Sequence, residues 1–226
     1  MIIHSTSPIG EKVLAEKTAV LLGLSIRNSY FKEENLQELI SWAQNSVAQV
    51  FIMLPDVPAI STLRSLGYDE NKAKATAMLA CNNLENKCRR IMESLGATEN
   101  VRIIRWKDLE GNKAYETMLE NLTKLYEKET DFRSDVRETT MGVIEGNGTT
   151  LAIQEALDIG VHFILQELAL ILNAADIFKV PTCAYVYHRE MPVHVKMLNN
   201  KYSFVPPQNT GYIICETDFS AKTKNG

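Results

Sequence analysis

Cysteine is scarce in this chain of 226 residues: only Cys81, Cys88, Cys183 and Cys215 occur, and no two of them form a CxxC pair. That excludes a disulfide framework and a cysteine-built zinc site, and it fits free thiols in a reducing cytoplasm. The opening MIIHSTSPIGEKVLAEK lacks the basic start and long apolar stretch of a secretory signal. No uncharged apolar run approaches the roughly 20 residues that span a bilayer. The longest, Val161 to Ala175, is interrupted by Gln166 and Glu167. Positive charge is not in excess, with 24 Lys and Arg against 28 Asp and Glu and a net charge of −4. A nucleic-acid partner is therefore met by a local patch or not at all. Neither a P-loop (GxxxxGK followed by Ser or Thr) nor a GxGxxG after a strand is present, so the usual phosphate cradles for free ATP or NAD are missing. His4, His162, His188 and His194 show no metal-ligand spacing. The expectation is a cytoplasmic, monomeric protein with no cofactor, no metal and no membrane contact.

What is present is a regular alternation. KTAVLLGLSI, AQVFIMLPDVP, NVRIIRW and VPTCAYVYH read as buried strands, and TGYIICET as a fifth. Helical spacing fills the intervals: about 31–47, a short helix near 60–68, a long one over 69–96, then 111–128, 131–144 and 150–175. Asp69 is placed as the N-cap of the long helix and Gly96 as its stop. Near-continuous apolar strands separated by helices predict a single α/β domain. It is Rossmann-like, with a mainly parallel sheet covered on both faces. Residues 1–16 and 217–226 read as flexible termini. In such sheets ligands gather beyond the carboxyl ends of the strands.

Three candidates fall at that edge. Ser25 ends the apolar run of the first strand, and Gly23, two residues earlier, shares its face and leaves room beside it. The surrounding letters are not the GxSxG elbow, because Arg27 stands two beyond Ser25. A serine here also serves as an ordinary turn residue. Glu167 is the only formally charged residue from Val161 to Ala175. It shares a helix face with Phe163, Leu170 and Ile171. A carboxylate so placed is either ion-paired or raised in pKa. Tyr187 and His188 close the fourth strand. Separately, Lys72, Lys87 and Arg90, with Arg89 on the flank, form a cationic stripe along the long helix, which Arg102, Arg105 and Lys107 extend. Such a stripe docks a phosphate backbone or is a solvated face. Met78, Cys81, Leu84, Ile91, Met92 and Leu95 are assigned to its core side.

Taken in order, LLGLSIRNSYF, FILQELAL and YVYH resemble the three motifs of the tRNA-dependent cyclodipeptide synthases, with Tyr187 twenty residues after Glu167. Asn28, Tyr187 and His188 resemble the marks of its Asn-Tyr-His subfamily. The resemblance spans about residues 17–195. It implies a fold like the catalytic domain of class I tyrosyl- and tryptophanyl-tRNA synthetases, without their HIGH and KMSKS signatures and hence without ATP activation. It implies two aminoacyl-tRNAs as substrates, an aminoacyl-serine, a dipeptidyl-enzyme and release of a diketopiperazine. By motif, Ser25 is the nucleophile, Glu167 binds the α-amine, Tyr187 positions the acyl group and relays a proton, and Gly23 and Asn28 shape the surroundings. His188 also falls in the substrate site. Lys72, Lys87, Arg89 and Arg90 hold tRNA. The first side-chain pocket is expected near Leu21, Gly23, Met53, Leu170 and Tyr185. The second is expected near Ile171 and the 132–144 helix with its Arg133, Asp135, Arg137 and Glu138. Two letters depart from the pattern: Phe163 stands where the family has a tyrosine, and Ala169 where it has a proline. Tyr30, Tyr185 and His162 are candidates to replace the missing hydroxyl. The competing readings are a serine esterase or aminoacyl-tRNA hydrolase using Ser25, and a non-catalytic tRNA-binding module.

Overall fold

The computed structural model describes residues 1–97 and 99–218. Its six strands are β1 (Ile2–Thr6), β2 (Ala19–Gly23), β3 (Gln49–Leu54), β4 (Val101–Arg105), β5 (Cys183–Tyr187) and β6 (Thr210–Glu216). They form one sheet in the order β1-β6-β5-β2-β3-β4. Every pairing is parallel except β1 with β6. The helices are α1 (Pro8–Glu16), α2 (Glu33–Ser46), α3 (Pro58–Ser65), α4 (Glu70–Ser94), α5 (Lys113–Lys128), α6 (Thr130–Asn147), α7 (Ile153–Ile171), α8 (Ala174–Phe178) and α9 (Pro192–Leu198). The expected α/β layout is the observed one.

The unbroken apolar runs of β2 and β3 follow from burial on both faces. Ala19 and Leu21 of β2, with Phe51 and Met53 of β3, point into a core closed by α5, α6 and α7. Val20 and Leu22, with Val50, Ile52 and Leu54, point into a second core closed by α2 and α4. Asp69 caps α4 as expected, accepting from the Lys72 amide at 2.9 Å, and Gly96 follows its end with φ +59°. The inward face of α4 is Ala73, Ala77, Cys81, Leu84, Cys88 and Ile91, whereas Met78 faces outward. All four cysteines are buried and free.

Two expectations need correction. Residues 1–16 are not a loose tail but β1 and α1. Their partner is distant in sequence: β1 pairs with β6, and the Ser7 hydroxyl caps α1 at the Gly10 amide (3.1 Å) while accepting from the Tyr212 amide (2.9 Å). At the other end Thr217 is buried and donates from its hydroxyl to Asn35 at 2.7 Å. The expectation for residues 219–226 lies outside the described residues. The helix expected over 150–175 is two helices. α7 stops at Ile171 because the Thr210 hydroxyl takes the Leu172 carbonyl (2.9 Å) and Asn173 turns to donate to the Ala114 carbonyl (3.0 Å). Among the described residues, no helix is long and apolar enough to cross a membrane.

Candidate active site

The chain leaves the sheet just after β2. The Leu24 amide still reaches the Met53 carbonyl at 3.3 Å, then Ser25 begins a tight excursion. Arg27 takes the left-handed conformation at φ +58°. Asn28 closes the turn, its Oδ1 accepting from the Tyr30 amide at 2.9 Å. On β5, Tyr185 and Tyr187 lie two apart and so share a face, their rings stacked at 5.7 Å. The hydroxyls of Tyr187 and Ser25 are 2.9 Å apart. Asn28 lies near enough to Tyr187 to pull the pKa of its phenol down. His188 stacks on Tyr30 at 4.1 Å and lies beside Tyr187.

Glu167 comes from α7 and, among the described residues, meets no cation in an ion pair. Its Oε1 accepts from the Tyr185 hydroxyl at 3.0 Å. Burial pushes its pKa up to about 7, against the opposing pull of that hydrogen bond and of the Arg189 charge. Of the two alternatives for a carboxyl on an apolar helix, the structure has the raised pKa. Burial, reinforced by the Glu167 charge, also raises the Tyr187 phenol, so it stays protonated at neutral pH, while Ser25 and Asn28 pull the other way.

Ser25, Asn28, Phe163, Glu167, Tyr187 and His188 all line one cavity of about 610 Å³. A serine hydroxyl, a phenol and a carboxyl balanced near neutrality therefore face one space. That is the equipment for acyl transfer to and from a hydroxyl. Among the described residues, no group of three His, Cys, Asp or Glu is placed to hold a metal.

Other expected residues lie elsewhere. Leu21, Met53, Leu170, Ile171 and Tyr185 are buried in the core and do not line the cavity. The room beside Gly23 is not left for a substrate. A Cβ there would meet the Tyr185 ring and hydroxyl at 2.4 Å. Gly23→Ala is thus expected to destabilise the fold by about 1–3 kcal/mol through overpacking, measured as a lower urea midpoint. An unchanged midpoint would mean that the ring moves aside freely. Of the α6 candidates, Asp135 and Glu138 line the cavity. Asp135 is held by Lys196 and Tyr202, each at 2.6 Å, and Arg137 turns away to Asp158 at 3.0 Å. Arg133 donates to the Glu127 carbonyl.

The α4 cations stand apart from the cavity. Lys72 sits over the Tyr68 ring, Lys87 donates to the Phe31 carbonyl at 3.1 Å, and Arg89 and Arg90 pair with Glu85 and Glu33. Arg105, expected to extend the stripe, is also tied to Glu85. Sequence reasoning missed Arg27 and Arg189 as a cationic pair lining the cavity. The left-handed arginine gives no signal in the letters, because glycine or asparagine is the residue that marks such a backbone.

The class of fold follows from the sheet order: the plan of class I tRNA synthetases. A tryptophanyl-tRNA synthetase homologue from Entamoeba histolytica has the same fold at a TM-score of 0.51, 13% identical, over 96% of this chain and 53% of that one. Within that class the placement is narrower. The family model for cyclodipeptide synthase matches residues 3–217, and the chain belongs to that family, whose members make cyclodipeptides from aminoacyl-tRNAs. It is 25% identical over 211 residues to the cyclo(L-leucyl-L-leucyl) synthase of Bacillus subtilis, covering 91% of this chain and 85% of that protein. A cyclodipeptide synthase from Bacillus thermoamylovorans superposes with a TM-score of 0.87 at 23% identity, over 96% of this chain and 97% of that one.

Proposed function

We propose that this chain joins two aminoacyl groups, each delivered by tRNA, into a cyclic dipeptide by way of esters on Ser25. The observation that carries the reading is the shared cavity, with Ser25 paired to Tyr187 at 2.9 Å and Glu167 poised near pH 7. Ser25 Oγ adds to the carbonyl carbon of the first aminoacyl ester. The bond to the tRNA ribose oxygen breaks, and that oxygen leaves with the proton that Ser25 gives up. Glu167, ionised, holds the α-ammonium of the group now on Ser25 and takes its proton. The freed amine attacks the ester carbon of the second aminoacyl-tRNA, a C–N bond forms as the bond to the ribose oxygen breaks, and the second tRNA leaves with the proton that the amine gives up. The terminal amine of the dipeptidyl ester then attacks the carbonyl at Ser25. The C–Oγ bond breaks, and Tyr187 relays to Oγ the proton that the attacking amine gives up. Holding amine and ester in one cavity supplies proximity, which can contribute several kcal/mol and up to roughly 7–11.

Asn28, Tyr187 and His188 all face this cavity, which supports membership of the Asn-Tyr-His subfamily. Substrates carried on tRNA place the reaction in the cytoplasm. Mass spectrometry of the medium from a host expressing the chain tests the reading. A diketopiperazine is the expected product. Free amino acids alone, released from charged tRNA by the purified protein, would point instead to a hydrolase.

For the RNA, the supporting features are Lys72, Lys87, Arg89 and Arg90 on α4, with Arg27 and Arg189 by the cavity. Arg27 and Arg189 make no ion pair among the described residues. Changing Lys87, Arg89 and Arg90 together to Ala should weaken tRNA binding and flatten the slope of log K against log salt by about 2–3. An unchanged slope in a filter-binding series would make α4 a solvated face and leave the phosphates to Arg27 and Arg189.

A further inference from the structure

We propose that Tyr185 closes the sheet side of the acyl site, so that the group esterified to Ser25 carries a small side chain, that of glycine, alanine or serine. The proposal rests on the ester reading above and adds its substrate class.

An acyl group bound to Ser25 Oγ with its amine on Glu167 must place its α-carbon between the end of β2 and the face of α7. Tyr185 spans the same gap. Its ring covers Gly23 at 2.4 Å from an added Cβ, and its hydroxyl ends on Glu167 Oε1 at 3.0 Å. Below the ring, Leu21, Met53 and Leu170 are 0%, 2% and 1% exposed, so no pocket opens beneath it. The missing side chain at Gly23 therefore makes room for a tyrosine, and a substituent pointing towards the sheet finds that volume taken.

The ring is fixed. Tyr187 stacks against it at 5.7 Å with planes 18° apart. His194 of α9 meets it edge-on at 6.0 Å and 75°. His194 is itself buried in the core, and its Nε2 has no hydrogen-bond partner among the described residues. Swinging Tyr185 aside would give up its contact with Tyr187 and strip a buried carboxyl of its hydrogen bond, a costly exchange. The remaining direction is the open cavity, which must admit the ribose of the donor and then the second aminoacyl group. Size selection thus falls on the first group.

The test mixes purified enzyme with glycyl-, alanyl-, leucyl- or phenylalanyl-tRNA, quenches in acid and reads the protein mass. Wild type should take glycyl and alanyl groups at least tenfold faster than leucyl or phenylalanyl. Tyr185→Leu, which shortens the side chain, should narrow that ratio by tenfold or more. Tyr185→Phe keeps the bulk and loses the hydroxyl, so it should slow acylation and leave the preference in place. A wild type that takes leucyl as readily as alanyl, or a Tyr185→Leu enzyme with an unaltered preference and a native melting curve, overturns the proposal. No adduct from any of the four tRNAs overturns the ester reading itself, and this proposal with it.

Discussion

Ser25→Ala should abolish cyclic dipeptide synthesis, lowering the rate by at least about 10³-fold, because the proposed route loses the atom that carries both esters. The loss should fall on turnover and leave tRNA binding intact, since the hydroxyl contributes no phosphate contact. Stability should change by no more than about 1.5 kcal/mol, because a single part-buried hydrogen bond to the Tyr187 phenol is lost. Ser29 provides the control. It lines the same cavity and carries the same hydroxyl, but it does not pair with Tyr187. Ser29→Ala should keep most of the activity. Multiple-turnover assays of the two variants decide the matter. A Ser25→Ala enzyme that still makes product, with a Ser29→Ala enzyme that does not, would move the nucleophile by four residues.

Glu167→Gln should cost about 10²–10⁴-fold in cyclic dipeptide formation and flatten the pH profile. With the Glu167 pKa pushed up to about 7, the carboxylate form, to which the proposed route gives the amine, fills as pH rises through neutrality. Wild-type activity should therefore climb from pH 6 to pH 8, while the glutamine enzyme stays low and level. The stability effect runs the opposite way. The folded-state pKa lies above the ordinary 4.5, so between about 4.5 and 7 the native protein holds a proton that the unfolded chain releases. The contribution of the neutral carboxyl is complete below 4.5 and is lost as pH rises through 7. Relative to wild type, Glu167→Gln should thus gain thermal stability on going from pH 5 to pH 8. A Tm difference between the two proteins that does not change with pH would mean that Glu167 is solvated and ordinary.

The parts of the fold carried by local pattern are legible in the letters. The strands β2, β3 and β5 announce themselves as doubly buried apolar runs, β4 by a run that Arg102 breaks, and α4 by its Asp69 cap and Gly96 stop. That Ser25, Glu167 and Tyr187 meet at one cavity is legible because each breaks a run of a different character at the same sheet edge. What is not legible depends on distant partners. β1 is a strand only because β6 pairs with it some 200 residues later. The end of α7 is set by Thr210 and Asn173 reaching carbonyls outside their own turns. The fate of the Gly23 gap hinges on the length and direction of a side chain two strand positions away. Spacing places Tyr185 near that gap but not inside it. The α4 stripe is legible as charge, and its pairing with Glu85 and Glu33 is not.

The proposed route passes through an acyl group carried on Ser25, just beyond the end of β2. The most direct measurement is peptide mapping by mass spectrometry after the enzyme meets a single charged tRNA and is quenched in acid. The account predicts one aminoacyl residue added to the peptide containing Ser25, absent from the Ser25→Ala enzyme and discharged when a second aminoacyl-tRNA is supplied. A protein that makes the cyclic product yet never carries the label there, or carries it on another side chain, would contradict it.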